Sequence, residues 1–129
     1  MTSKAHNPAS IGAPIGAYVH GLETPPNARL LHVSGQVGIA DDGSVPPDAE
    51  GQARIVWRNI EAILESAGMD IGDIVKMTAY LTDPADLAAY GSVRTAVLGD
   101  FRPTSTLVFV SALVKPELKV EVEVVAARA

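Results

Sequence analysis

The residues best equipped for chemistry lie in the last third of the chain. Val120-Glu121-Val122-Glu123-Val124 alternates two carboxylates with valines, and the run Arg102-Pro103-Thr104-Ser105-Thr106 precedes it. A carboxylate at a cleft can orient a water or accept a proton, and hydroxyls can fix a polar ligand. By alternation alone, both glutamates belong to the polar face of one amphipathic strand. Upstream, Ile15-Gly16-Ala17-Tyr18-Val19 offers a phenol, and Ser34-Gly35-Gln36 offers a backbone amide beside a hydroxyl. Taken singly, a half-buried strand tyrosine and a strand-ending bend account for these equally well.

The other chemistry-bearing residues form no recognisable site. His6, His20 and His32 match no ligand spacing, and the chain has no cysteine, so no metal is expected. Asp41-Asp42-Gly43 lacks the later ligands of a calcium loop and reads as a turn. Thr104, Ser105 and Thr106 are not set in the sharp strand-to-helix elbow that a serine nucleophile requires. The net charge of −5 and the scattered basic residues oppose a nucleic-acid partner. Met1-Thr2-Ser3-Lys4 opens the chain without an apolar signal core, and no apolar run is long enough to span a bilayer. A soluble, cytoplasmic protein without a membrane partner is expected.

A length of 129 residues, 47% of them hydrophobic, supports one domain with its own core, residues 1–129. Residues 1–13, within an Ala-, Gly- and Pro-rich stretch running to 17, are expected to be irregular. Tyr18–Leu22 reads as a first strand and Leu30–Ser34 as a second, ended or bent by Gly35. From Asp48 on, Ala53, Val56, Trp57, Ile60, Ile63, Leu64 and Ala67 form one helical stripe, with Pro47 in the first turn and Gly68 as the stop. Ile74–Thr82 alternates as a strand, and Asp83-Pro84 opens a second helix ending at Gly99. Gly91 within that helix costs about 1 kcal/mol relative to alanine, which predicts close packing against it. Strands over Thr106–Ala112 and Lys119–Ala126 complete the order β-β-α-β-α-β-β. Such an order places both helices on one side of a mixed sheet in an α+β fold. The other sheet face is left open, so self-association is expected.

In order and at their intervals, several segments resemble the RidA (YjgF) family of small imine and enamine deaminases, also described as endoribonuclease L-PSP. They are Ile15-Gly16-Ala17-Tyr18, Ser34-Gly35-Gln36, Gln52-Ala53-Arg54, Ala67-Gly68, Gly72-Asp73-Ile74-Val75-Lys76, Pro103 and Glu121-Val122-Glu123. The resemblance covers residues 14 to 127. It implies a chorismate-mutase-like α+β subunit with two helices on one face of a mixed sheet. It also implies a homotrimer whose open faces form a central barrel, and ligand clefts at the subunit boundaries. The implied activity is hydrolysis of an imine to a carbonyl compound and ammonia, with no cofactor. Glu121 falls on the water-orienting glutamate, and Tyr18, Ser34 and Gly35 fall on the ligand pocket. Glu123 is left at the interface or surface.

Two positions depart from the pattern. Deaminating members carry an arginine two residues after the proline, where it clamps the substrate carboxylate; here that residue is Ser105. A helical asparagine of the cleft falls on Gly91. Losing a desolvated arginine clamp removes roughly 2–5 kcal/mol of binding, against about 1 kcal/mol from one neutral hydrogen bond. Arg102 is a possible substitute, although an odd offset along an extended strand turns it away from Ser105. Arg29 and Arg94 are further candidates, from a neighbouring subunit. The expected function is therefore binding of a small imine, enamine or carbonyl metabolite, with deamination compromised. A non-enzymatic binding or regulatory role is the alternative.

Overall fold

The computed structural model describes residues 3–129; Met1 and Thr2, where the expected irregular segment begins, lie outside the described residues. Two short strands, β1 (Lys4–His6) and β2 (Gly21–Glu23), pair antiparallel with each other. The main sheet holds β3 (Arg29–Val37), β4 (Ile74–Leu81), β5 (Thr104–Phe109) and β6 (Val120–Arg128) in the order β3-β6-β4-β5. Helices α1 (Ala49–Ser66) and α2 (Leu87–Leu98) pack on one face of this mixed sheet.

The apolar stripe of α1 buries Val56, Trp57, Ile60 and Leu64 in one core with Met77, Ala79 and Leu81 of β4 and Val120, Val122 and Val124 of β6. Full burial of each such side chain is worth about 1.5–3 kcal/mol, so this contact fixes which face the helices cover. Asp48 caps α1 by accepting from the Gly51 amide at 3.0 Å, which leaves Pro47 outside the helix. Gly68, at φ +70°, ends it. Asp83 caps a 3-10 turn, Pro84–Asp86, that runs directly into α2. Because α2 returns the chain across the sheet, β5 lies parallel to β4, while β6 inserts antiparallel between β4 and β3.

Several expectations are corrected. The N-terminal stretch contains β1, because Lys4–His6 gains its backbone partners from β2, a pairing that local composition does not reveal. The first strand of that region covers Gly21–Glu23, and Tyr18 lies in the preceding loop. Of the two outcomes expected at Gly35, the strand is not ended but made irregular; β3 continues to Val37 through a register shift between Val33 and Gln36. β5 starts two residues earlier than expected, so Ser105 lies within it. Among the described residues nothing packs against Gly91: a Cβ there would meet no atom within 4 Å.

Candidate functional site

Glu121 lies on the uncovered face of the sheet. On β6 the even-numbered residues from Val120 to Ala126 point into the core, so Glu121 and Glu123 point the other way. Glu121 is level with Tyr80 of β4 and Val37 of β3. Its carboxylate lies directly over Gly35: a Cβ at that residue would stand 1.9 Å from Oε2 and 2.8 Å from Cδ. The irregularity of β3 therefore serves the glutamate, since only a residue without a side chain lets the carboxylate rest on the backbone. Among the described residues no cation forms an ion pair with Glu121.

Next to it, the Tyr80 hydroxyl donates to Glu123 Oε1 at 2.5 Å. That bond, and burial after it, raise the phenol above its ordinary pKa. Tyr80, Glu121 and Glu123 join Val110, Leu113 and Val114 around an open cleft of about 370 Å³. Ser34, exposed beside Gly35, stands at the same end of β3.

Tyr18 and Ser105 lie elsewhere. Tyr18 folds back on its own loop, where its hydroxyl accepts from the Ile15 amide at 3.3 Å and its ring meets His20 edge-on at 5.9 Å. The Val19 amide donates to the Pro103 carbonyl at 3.0 Å, which fastens this loop to the start of β5. Ser105 is paired with Met77, whose own partner on β6 is Val124; both are core residues, so Ser105 points to the helix side at the sheet edge. Glu121 points to the opposite side, two strands across and three residues further along. The two are thus separated by roughly 10 Å in each direction within the sheet. One copy of the chain therefore gathers Ser34, Gly35 and Glu121 at one place and leaves Ser105 on the other side, with the loop of Tyr18 fastened to the start of its strand.

Arg102 is not placed to replace the clamp. Its Nη1 donates to the carbonyls of Gly99 at 2.7 Å and Phe101 at 3.0 Å, which caps the end of α2. Two contributors were not singled out from the sequence. Tyr80 stands on the polar side of an alternating strand and gave no further signal. Gln52 falls on the apolar stripe of α1, and that position was its signal. It is fully buried, donating to the carbonyls of Pro46 and Glu117 and accepting from the Lys119 amide. It thereby holds the loop before β6, which leads from Val114 at the cleft to Glu121. Arg94 on α2, named from the sequence as a cation that a neighbouring subunit could offer, donates from Nη2 to the Ala17 carbonyl at 2.9 Å of its own chain.

Residues 8–128 match the family model described as Endoribonuclease L-PSP. A 2-iminobutanoate/2-iminopropanoate deaminase of Escherichia coli K12 is 35% identical over 120 residues, which cover 90% of this chain and 91% of that one. The chain belongs to the RidA (YjgF) family. Among solved RidA-like structures, the Rid family protein YyfB from Yersinia pestis superposes with a TM-score of 0.84 at 27% identity. That match covers 99% of this chain and all of the other. The TdcF protein of E. coli, crystallised with bound serine, gives a TM-score of 0.74 at 32% identity, over 98% of this chain and 99% of its own. The two helices on a mixed sheet are thus the RidA subunit fold. Among the described residues no helix is long and apolar enough to cross a membrane.

Proposed function

We propose that this RidA protein binds a small imine, enamine or carbonyl compound in clefts between the subunits of a homotrimer and hydrolyses the imine. The observation that carries this reading is the Glu121 carboxylate, laid over Gly35 in an open cleft, with no ion-pair partner among the described residues. Water oriented by Glu121 adds to the electrophilic imine carbon, and the tetrahedral adduct then collapses to a carbonyl compound and ammonia. An enamine enters the same path after tautomerising. Ser34 and the Gly35 amide position the ligand from the Glu121 side, and Tyr18 and Ser105 do so from the facing subunit. The opposed directions of these two groups support a site made by two copies.

Ser105 supplies a hydroxyl where the deaminating members supply a guanidinium, so the substrate is less acidic than 2-aminoacrylate or is anchored by another group. The test is release of ammonia from a panel of freshly generated imines and enamines derived from amino acids and neutral amines. Turnover is expected on some of them, weak on 2-aminoacrylate, and lost in Glu121→Gln. Turnover unaffected by Glu121→Gln would defeat the reading.

Ser105 also favours a second reading, a ligand-binding module without catalysis. In that case Glu121→Ala leaves ligand binding intact while filling the cleft at Gly35 abolishes it. RNA cleavage, which the family description names, is disfavoured by the net charge of −5.

A further inference from the structure

With serine at position 105, an acidic substrate needs another cation, and one arginine is held in an unusual state. Arg94 is half-buried, and burial, as the largest influence, lowers its pKa from the usual value. A guanidinium has five N–H donors, and taking it out of water is costly unless they and the charge are matched. The Ala17 carbonyl is its one protein acceptor among the described residues, and no carboxylate pairs with it. The other arginines differ. Arg54, Arg58 and Arg128 face aspartates or glutamates, Arg102 caps α2, and Arg29 is an exposed side chain on the Ala67 carbonyl.

The surroundings of Arg94 are those of the Tyr18–Ser105 half-site. The carbonyl it holds belongs to the residue before Tyr18, and the amide after Tyr18 bonds to Pro103, two residues before Ser105. One turn earlier on the same flank of α2 is Gly91, where the space a side chain would occupy is open. A cation short of acceptors thus stands beside a vacant stretch of helix surface and the ligand-binding tyrosine loop.

We propose that Arg94 is the anion-binding residue of this protein, holding the carboxylate of a small 2-imino or 2-oxo acid that enters over Gly91. The proposal rests on the deaminase reading and deepens it by naming the group that anchors the acid.

The experiment is calorimetric titration of the full chain with pyruvate, the hydrolysis product of 2-iminopropanoate, and with its neutral analogue pyruvamide. It compares wild type with Arg94→Gln, which can still donate to the Ala17 carbonyl, and with Arg94→Lys, which keeps the charge. Wild type is expected to bind pyruvate more tightly than pyruvamide. Arg94→Gln should weaken pyruvate at least tenfold and leave pyruvamide unchanged, and Arg94→Lys should recover part of the difference. Pyruvate binding unchanged in Arg94→Gln overturns the proposal. So does equal weakening of both ligands, which would mean that Arg94 only braces the tyrosine loop. Wild type that binds neither ligand overturns the proposal as well, and the deaminase reading falls separately, only if no imine of the panel releases ammonia.

Discussion

At Gly35 the backbone would accept alanine, because its φ is not in the left-handed region; the obstacle is the Glu121 carboxylate, whose Oε2 and Cδ stand within 3 Å of the added methyl. Both atoms end a flexible side chain, so Gly35→Ala is expected to fold with a stability loss of about 1 kcal/mol or less while the carboxylate is pushed out of place. Ligand binding and any turnover should fall at least tenfold with little change in the denaturation midpoint. Wild-type binding in this variant would show that the close approach has no functional weight. The tyrosines provide a second check at this scale. The hydrogen bond to Glu123 raises the Tyr80 phenol above its ordinary value, and burial pushes Tyr90 up to about 12. An unfolded tyrosine ionises near 10, so the native state holds its phenolic protons longer than the unfolded chain does. The stability from Tyr90 is therefore fully present below pH 10 and is lost as pH rises from 10 to about 12. Ultraviolet titration should show Tyr90 ionising together with loss of near-ultraviolet dichroism. Ionisation of all three tyrosines near pH 10 with the fold intact would contradict this.

Among the elements, the clearest to read were those with long periodic patterns. The stripe from Ala53 to Ala67 gave α1 and its buried face, and the alternation from Val120 to Val124 gave the direction of both glutamates. What could not be read depends on pairing between distant segments. β1 exists only because β2 offers it hydrogen bonds, and the continuation of β3 past Gly35 depends on β6. Gly91 shows the limit of a local argument, since its helix cost predicted packing and the structure shows open space. The site was legible as a set of residues through the family resemblance, but their division between the two sheet faces required the strand register. Gln52 joins elements in the same non-local way, tying α1 to the loops at Pro46 and Glu117–Lys119. Gln52→Leu would leave those backbone groups buried without partners. It is expected to lower unfolding free energy by about 2–4 kcal/mol, measured by urea denaturation, and to loosen the loop before Glu121. A loss below about 0.5 kcal/mol would show that the loop is held by other contacts.

For the molecule as a whole, the uncovered sheet face and the separation of the two half-sites call for association of copies. Sedimentation equilibrium is expected to give a trimer, and a monomer at micromolar concentration would remove the basis for a shared cleft. A cleft shared between copies and lacking only its cation is tested by kcat/KM for 2-aminoacrylate in wild type, Ser105→Arg and Ser105→Arg/Glu121→Gln. A guanidinium at position 105 can help only if a facing copy brings Glu121 within the length of one small substrate, because in a single chain the two residues point to opposite sides of the sheet. A gain on the order of a hundredfold is expected in Ser105→Arg, abolished when Glu121 is also replaced. Wild-type turnover already equal to that of Ser105→Arg, or a gain that survives Glu121→Gln, would contradict it.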